Sequence, residues 1–274
     1  MTLVALAELD RGLVPVDEPV LHVDDVAVLR GRGVFETVRV YDGGPFRLEA
    51  HLDRLTASAA RVHLPAPPHA AFAAAAQKAI DAGGERDAVL RFLWTGGREG
   101  GGEPKGFVLV STLPAGLDEL RARGLRLVVV DWAAGALAGA KSTSYAENVI
   151  VQDDAVRAGA DDALLVAPDG TVLEAPTANV WFREGATLHT PALSLPVLAG
   201  VTRSALCDLA SGLGYAVEEG VYGLARFLEA DEVFLSSSVR EVMPVAAVES
   251  NEFSLGPAAA ALQAALRTAA AGLP

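Results

Sequence analysis

The chain has 274 residues, 51% of them hydrophobic, and a formal net charge of −13 at pH 7. This length and apolar content exclude a disordered chain and are sufficient for one large domain or two modest ones. The acidic charge argues against a nucleic-acid-binding surface. The most apolar long stretch, 125–140, is interrupted by Arg126 and Asp131, so no membrane span is predicted.

The N-terminus and the cysteine content indicate the cellular compartment of the protein. No basic segment followed by a long apolar stretch opens the chain, so no export signal is predicted. Cys207 is the only cysteine, which excludes internal disulfides and favours the reducing cytoplasm. Apolar residues at helical spacing around Cys207 predict a packed thiol rather than a nucleophile.

The first part of the chain alternates patterns typical of strands and helices. In chain order, the predictions are a strand at 37–41, a tight turn at 42–44 with a returning strand, helices near 49–64 and 69–82, and strands at 88–95 and 106–113 around a glycine-rich loop. The first helix is indicated by Leu52, Leu55, Ala59 and Val62, which share one face at helical spacing.

Pro114, Gly116 and a short charged segment predict a boundary near residue 118, and hence a small domain at 1–118 and a larger one at 119–274. The predictions beyond it are a strand at 125–131, a helix at 146–159, several strands between 161 and 190, a helix at 202–214, a strand at 215–222, a short helix, and a strand at 232–238. Antiparallel strands with interspersed helices indicate an α+β fold rather than a doubly wound sheet.

One of the three lysines stands in an unusual setting. Lys78 lies in an alanine-rich run and Lys105 in a glycine-rich loop, where both are expected to be solvated. Lys141 follows an apolar strand, lies between small residues and precedes a helical pattern. A lysine in an apolar setting can become a neutral amine nucleophile, which an arginine cannot. Two interpretations remain open, a Schiff-base lysine and a surface lysine at the start of a helix.

A Schiff-base cofactor such as pyridoxal phosphate needs donors for its phosphate and an acidic partner for its ring nitrogen. Backbone amides of Val201 and Thr202 at a predicted helix start could bind an anion. Ser238 offers a hydroxyl, and Arg54 a bidentate contact. Glu174, at the end of a strand, is the candidate acid. Each also has a structural interpretation: Thr202 as a helix cap, the serine run as a turn, and Arg54 and Glu174 as surface residues.

The order of these segments resembles the class IV pyridoxal-phosphate aminotransferase family over almost the whole chain. That family contains branched-chain and D-amino acid aminotransferases and aminodeoxychorismate lyase. The similar stretches are "GVFETVRVYDGGPFRLEAHLDRL", "GAKSTSYAEN", "GADDALLVAPDGTVLEAPTANVWF", "TPALSLPVLAGVTR" and "ADEVFLSSSVREVMPV". The resemblance implies a two-domain fold type IV enzyme of the D-amino acid aminotransferase kind, with a small N-terminal α/β domain and a larger C-terminal pseudo-barrel domain carrying the lysine. It also implies pyridoxal 5'-phosphate, no metal, and a homodimer.

The resemblance implies a role for each matching residue. Lys141 is expected to bond the cofactor and Glu174 to contact its pyridine nitrogen. The remaining cofactor residues are Arg54, Val201, Thr202 and Ser238 at the phosphate, Leu198 against the ring, and Tyr145 near the ring hydroxyl.

The first motif points to one branch of this family. Phe35-Glu36-Thr37 places Thr37 where aminodeoxychorismate lyases carry a threonine, whereas branched-chain enzymes read Phe-Glu-Gly and D-amino acid enzymes Tyr-Glu-Val. Gly96 stands where relatives often have arginine, so Arg91 or Arg98 must supply any carboxylate contact from this loop. Arg98 is the prediction, with Arg39 as its competitor.

We therefore expect 4-amino-4-deoxychorismate lyase activity, which gives 4-aminobenzoate and pyruvate for folate synthesis. Lys141 is the expected base, and Thr37 the expected hydrogen-bond donor near the leaving oxygen. The alternatives are a class IV aminotransferase acting on D-amino acids or branched-chain amino acids, and a non-catalytic anion-binding protein. His51 and His189 are interpreted as packing or capping residues.

Overall fold

The computed structural model describes residues 1–272 and contains two compact units, which are described separately. Unit 1 comprises Met1–Ala115, the segment Ala140–Tyr145 and residues 270–272. Unit 2 comprises Gly116–Gly139 and Ala146–Ala269. Both units combine a sheet with helices, which confirms the predicted α+β class. In the part of the chain described, no helix has the length and apolar character needed to cross a membrane.

Unit 1 is built on a six-stranded antiparallel sheet in the order β2-β1-β6-β5-β3-β4. Its elements are β1 (Leu3–Glu8), β2 (Gly12–Val14), α1 (Val26–Arg30), β3 (Gly33–Tyr41), β4 (Gly44–Pro45), α2 (Leu48–Arg61), α3 (His69–Gly83), β5 (Ala88–Thr95) and β6 (Lys105–Ser111). Helix α2 packs against β3, and α3 packs against β1 and β6.

The helices of unit 1 bury the faces that their sequences indicate. Leu52, Leu55 and Ala59 of α2 have no exposed surface, and each buried leucine contributes about 1.5–3 kcal/mol of transfer free energy. Strand β3 starts at Gly33, four residues before the predicted strand. Strands β1 and β2 were not predicted, because the continuous apolar run of β1 lacks the alternation that marks a half-buried strand.

Unit 2 contains a nine-stranded sheet whose main path is β12-β11-β10-β13-β14-β7-β8. Its elements are α4 (Leu117–Arg123), β7 (Leu125–Asp131), α5 (Ala146–Arg157), β8 (Asp162–Val166), β9 (Glu174–Ala175), β10 (Ala178–Glu184), β11 (Thr187–Pro191), α6 (Val201–Ala210), β12 (Ala216–Gly220), α7 (Leu224–Leu228), β13 (Glu232–Ser237), β14 (Glu241–Val248), β15 (Asn251–Glu252) and α8 (Pro257–Ala271). The core includes Phe182, Phe227 and Leu235.

Strand β14 and helix α8 are the longest elements of unit 2 that were not predicted. Strand β14 contains Pro244, which cannot donate a ladder hydrogen bond and so weakens the strand pattern, yet it pairs with Phe234 of β13. Helix α8 is rich in alanine and buries Leu262 and Leu266, but it has few large apolar residues to reveal a periodic face in the sequence.

The segment that carries Lys141 belongs to unit 1, although the sequence placed it in the C-terminal domain. The reason is backbone pairing with β3. Phe35 N donates to Lys141 O at 3.0 Å, and Thr143 N donates to Gly33 O at 2.9 Å. The segment therefore adds to the edge of β3 after the chain has left unit 1 at Ala115.

Candidate active site

The backbone of Lys141 is held by two elements of unit 1. Besides its pairing with β3, its N–H donates to Oγ of Ser58 on α2 at 3.0 Å. Ser58 is buried. A peptide bonded to both a strand and a helix has little freedom, so the direction in which the Lys141 side chain leaves the backbone is fixed.

The amine of Lys141 lies over aromatic rings. Its Nζ is 4.5 Å from the ring centroid of Phe35 and 5.8 Å from that of Tyr145. These two rings meet edge to face, with centroids 5.2 Å apart. The aromatic faces provide an apolar setting that attracts the amine while it is charged. This arrangement differs from that of Lys78, which is exposed, and of Lys105, whose Nζ lies 2.7 Å from Asp10.

Strand β3 separates two sets of side chains, because successive residues point to opposite faces of a sheet. Phe35 and Thr37 share the face on which the Lys141 amine lies. Glu36 points to the opposite face, which is covered by helix α2. Thr37 is half-buried and pairs directly with Arg91 of β5, so the side chains of these two residues are neighbours.

Arg54 is held on α2 by a buried acid. Its Nε donates to Oε1 of Glu36 and its Nη2 to Oε2, both at 2.7 Å. Its side chain is only 11% exposed, so Arg54 is not a solvated surface residue. Burial opposes the ionisation of Glu36, but the charge of Arg54 and hydrogen bonds from Arg54 and His51 outweigh it and lower the pKa of Glu36 to about 2.

His51 completes this buried cluster. Its Nδ1 lies 2.7 Å from Oε2 of Glu36. Burial lowers the pKa of His51, and the positive charges of Arg54 and Lys141 lower it further, against the opposing effect of Glu36. His51 therefore packs and hydrogen-bonds in the interior. His189, in unit 2, stacks on Phe182 with ring centroids 4.8 Å apart.

In unit 2, Glu174 is held by groups from two segments. Both of its carboxylate oxygens accept from the backbone N–H of Leu198, at 3.2 and 3.1 Å. Asn179 Nδ2 donates to Oε2 of Glu174 at 3.1 Å and to the carbonyl of Leu198 at 2.9 Å. Glu174 and Leu198, both predicted as cofactor residues, are therefore neighbours, and Asn179 fixes them relative to each other.

Helix α6 starts one residue earlier than predicted, at Val201, and follows Gly200. No side chain caps its first turn, so its backbone N–H groups are not taken by a side-chain cap. Val201 and Thr202 are buried. The partial positive charge of a helix start, together with the Thr202 hydroxyl, suits an anion such as phosphate.

The three serines at the end of β13 and just after it have different contacts. Ser236 Oγ accepts from Nε1 of Trp181 at 2.9 Å, and Ser237 Oγ accepts from the backbone N–H of Arg240 at 3.2 Å. Both contacts are structural. Ser238, the predicted cofactor residue, is half-buried in the connection between β13 and β14.

The two arginines predicted to bind substrate differ in setting. Arg98 lies on an exposed loop and pairs with Asp24 through Nη2 at 2.8 Å; the hydrogen bond to Asp24 raises the pKa of Arg98. Arg39 is buried, with its guanidinium 5.2 Å from the ring centroid of Tyr41. Arg91 is half-buried, and none of the ion pairs among residues 1–272 involves it. Its Nη2 donates to the sulfur of Met1 at 3.6 Å.

Glu36 and Asn179 of these clusters were missed from the sequence, and His51 was interpreted only as a packing or capping residue. Glu36 had a usable signal, because it alternates with Val34 and Val38, which are buried, and a carboxylate at a buried strand position needs a partner. His51 lies on the inner face of α2, three residues from Arg54, which is the spacing of neighbours on a helix. Asn179 carried no local signal, since its contacts come from other segments.

The lysine amine over aromatic rings in unit 1 and, in unit 2, the fixed carboxylate and the uncapped helix start are groups that a lysine-bound cofactor requires. The model of the family "Amino-transferase class IV" matches residues 33–248. A "Bifunctional aminodeoxychorismate lyase / D-amino acid transaminase" of Mycobacterium tuberculosis is 35% identical over 84% of this chain and 86% of that protein. The chain belongs to the class IV aminotransferase family.

Solved structures agree with this family. A fold IV transaminase from Curtobacterium pusillum superposes with a TM-score of 0.90 at 32% identity, covering 98% of this chain and 99% of that one. The pyridoxal-phosphate-bound form of an aminotransferase described as hypothetical, from Mycobacterium tuberculosis, has a TM-score of 0.91 at 32% identity, covering 97% and 98%. The chain thus has the predicted fold type IV architecture, and it is an enzyme that depends on pyridoxal phosphate.

The residues present fit that cofactor. A phosphate group requires donors, which the first turn of α6 and the buried guanidinium of Arg54 offer. A protonated ring nitrogen requires an acid, and Glu174 is held in place by two neighbours. An aldehyde requires an amine, which Lys141 carries in an aromatic setting.

Proposed function

We propose that this protein is a 4-amino-4-deoxychorismate lyase, which releases 4-aminobenzoate and pyruvate in folate synthesis. The observation that carries the proposal is the position of Thr37. It shares a face of β3 with Phe35, and the ring of Phe35 lies under the amine of Lys141. A hydroxyl two residues along the strand from that ring is suitably placed to hydrogen-bond a group that leaves the substrate.

The proposed cofactor residues divide by chemistry. Lys141 would bond the aldehyde and Glu174 would contact the pyridine nitrogen. Tyr145 would serve the ring hydroxyl and Leu198 the ring. Arg54, Val201, Thr202 and Ser238 would bind the phosphate. The bidentate pairing of Arg54 with a buried acid and the absence of a side-chain cap on α6 support this division.

When bound, pyridoxal phosphate supplies an aldehyde that captures amines and a ring that accepts the electron pair left by a departing proton. In the lyase reaction, Nζ of Lys141 would remove the proton from the amine-bearing carbon. The electron pair left behind would complete the aromatic ring as the bond between the neighbouring ring carbon and the enolpyruvyl oxygen breaks, and Thr37 would donate a hydrogen bond to that oxygen. The released enolpyruvate would take up the proton that Lys141 removed and become pyruvate, while Glu174 would keep a proton on the pyridine nitrogen.

The substrate carries carboxylates, which need a cationic partner. Arg98 and Arg39 are proposed from the sequence, together with Arg91 as the other arginine of the same segment. The structure favours Arg91 over Arg98. Its side chain neighbours Thr37 across the sheet, whereas Arg98 is paired with Asp24 on an exposed loop. An arginine without a carboxylate partner is available for one on the substrate.

The second candidate is transamination of D-amino acids or branched-chain amino acids. It is favoured by the relative from Mycobacterium tuberculosis, whose name includes both the lyase and the D-amino acid transaminase. Lys141 and Glu174 would serve both reactions in the same way, because both begin with removal of a proton from the carbon that bears the amine.

Product analysis separates the two functions. The holoenzyme is incubated with 4-amino-4-deoxychorismate, and separately with D- and L-amino acids. The proposal requires 4-aminobenzoate and pyruvate in equal amounts. Stoichiometric conversion of the cofactor to pyridoxamine phosphate by an amino acid, without 4-aminobenzoate from the first substrate, would identify an aminotransferase instead.

We also propose a cytoplasmic homodimer. Val149, Ile150 and Val156 of α5 are exposed to 48%, 57% and 58%, which is unusual for branched apolar residues on one helix and suits a partner surface. The single cysteine, Cys207, is half-buried, and burial raises the pKa of its thiol. This thiol forms no disulfide, in keeping with a reducing compartment.

A further inference from the structure

A buried carboxylate stands behind Arg54. Glu36 has no exposed surface, and its two oxygens accept from Nε and Nη2 of Arg54 in a parallel, two-point pairing. We propose that Glu36 is a positioning residue, which holds the guanidinium of Arg54 in the orientation that binds the cofactor's phosphate. The inference rests on the proposed role of Arg54 and adds a residue that never contacts the cofactor.

The pairing is directional. A guanidinium is planar, so fixing Nε and Nη2 against one carboxylate also fixes the plane of the group and the direction of its Nη1 hydrogens. A lysine at this position would bring the same charge with no fixed plane. Arg54 can therefore present hydrogen-bond donors in one direction, which is what recognition of a tetrahedral anion requires.

The carboxylate is itself immobilised. The pKa of Glu36, about 2, keeps it ionised at neutral pH, so it only accepts hydrogen bonds. Nδ1 of His51, at 2.7 Å, must then carry the hydrogen. With Oε1 bonded to Arg54 and Oε2 shared by Arg54 and His51, the carboxylate cannot rotate without breaking charge-assisted bonds.

Helix α2 ties this cluster to the lysine segment. His51, Arg54 and Ser58 follow one another at spacings of three and four residues and so lie on one face of the helix. His51 and Arg54 contact Glu36, and Ser58 accepts the backbone N–H of Lys141. One face of α2 therefore fixes the position of the Arg54 guanidinium relative to the Lys141 backbone. Because a buried ion pair can often be replaced by apolar residues without loss of stability, we infer that this pair serves to position Arg54.

The test compares two ligands that differ only in the phosphate. The dissociation constants of pyridoxal phosphate and of pyridoxal are measured by absorbance titration of the apoenzyme for the wild type, Glu36→Gln, Arg54→Gln and the double variant. We expect Glu36→Gln to weaken pyridoxal phosphate binding about 10- to 100-fold, the range of a charge-assisted hydrogen bond, and to change pyridoxal binding less than about threefold. In the double variant, Glu36→Gln should weaken pyridoxal phosphate binding less than about threefold beyond the effect of Arg54→Gln alone.

The matched control is Glu8→Gln. Glu8 is also a buried carboxylate in the sheet of unit 1, but it pairs with Arg11 and Lys105. Its substitution should leave both dissociation constants unchanged. Equal losses for the two ligands in Glu36→Gln, or losses that multiply in the double variant, would overturn the inference, because the carboxylate would then act on the fold and not through Arg54.

Circular dichroism shows whether Glu36→Gln folds. If it does not, Arg54→Lys provides the test. Arg54→Lys keeps the charge but loses the two-point pairing, so it should weaken pyridoxal phosphate about tenfold or more and spare pyridoxal. Retained affinity would overturn the inference. If borohydride traps no adduct on Lys141 of the wild type, the proposed function and the inference fall together. If the adduct forms and Glu36→Gln behaves like Glu8→Gln, only the inference falls.

Discussion

The side-chain oxygen of Asn179 occupies the space that a β-carbon on Gly200 would fill, because the two positions are only 1.9 Å apart. The amide nitrogen of Asn179 donates to Glu174 and to the carbonyl of Leu198. A glycine immediately before helix α6 thus lets one asparagine hold the candidate acid beside the candidate phosphate site. The requirement is one of space, since the backbone of Gly200 adopts an extended conformation open to any residue.

Gly200→Ala tests this packing. The added methyl group must displace Asn179, which breaks its hydrogen bonds to Glu174 and Leu198. We expect the free energy of unfolding to fall by about 1–3 kcal/mol, as in other overpacked interiors, and pyridoxal phosphate to bind more weakly. Chemical denaturation and cofactor titration measure the two effects. Gly212→Ala is the control, because nothing lies within 4 Å of a β-carbon there; a loss as large in that variant would contradict the explanation.

Lys141→Ala should abolish the covalent link to the cofactor. Without its amine no reducible bond to the aldehyde forms, so borohydride treatment followed by peptide mass spectrometry should find no labelled peptide, and activity should fall at least about a thousandfold. Lys105→Ala removes a lysine paired with Asp10 and should keep both the label and the activity. A labelled peptide in Lys141→Ala would show that the cofactor bonds to another lysine.

Arg91 and Arg98 make opposite predictions for substrate binding. Arg91 neighbours Thr37 across the sheet, so Arg91→Gln should raise the KM for the carboxylated substrate about 10- to 100-fold, the range of a lost charge-assisted contact. Arg98→Gln breaks an exposed pair with Asp24 and should change the KM less than about threefold. Steady-state kinetics of both variants measure the two KM values. A larger rise in KM for Arg98→Gln than for Arg91→Gln would assign the substrate carboxylate to Arg98.

Acid should destabilise unit 1 in two steps. The pKa of His51 is lowered from 6.5, mainly by burial, so the folded state resists its protonation and stability declines as pH falls below about 6.5. The pKa of Glu36 is lowered from 4.5 to about 2, so its contribution, on the order of 3 kcal/mol, is present above pH 4.5 and lost towards pH 2.

Urea unfolding followed as a function of pH measures these steps. Glu36→Gln should flatten the decline below pH 4.5, and His51→Gln should flatten the decline that begins near pH 6.5. Unchanged slopes in both variants would show that other groups control acid unfolding.

Ile150→Glu should weaken the proposed homodimer. A charge in the centre of the exposed apolar face of α5 would be buried without a partner if that face is an interface. Light scattering coupled to size-exclusion chromatography should show a shift toward monomer. Val221→Glu, which places the same charge at another exposed valine, should leave the mass unchanged. A dimer that survives Ile150→Glu would assign the contact to another surface.

Local periodicity predicted much of the fold. The apolar face of α2 is legible because Leu52, Leu55 and Ala59 recur at helical spacing, and β5 was predicted with its observed bounds because Arg91 is the only charged residue in its apolar and β-branched run. Strand β14 and helix α8 were missed because Pro244 and the alanine-rich composition hide their patterns. Local patterns report a segment's own preference, and these two segments depend on what packs against them.

The amino-acid sequence alone determined the chemistry available to this protein: one lysine among small residues after an apolar strand, an acid that follows a β-branched and apolar run, and a glycine followed by a helix rich in polar donors. The tertiary structure decided how those groups are held. It placed Glu36 and His51 behind Arg54, Asn179 beside Gly200, and Lys141 on the edge of β3, because each of these contacts joins segments distant along the chain. Such contacts form only when the sheet and helices pack, and a local pattern carries no record of them.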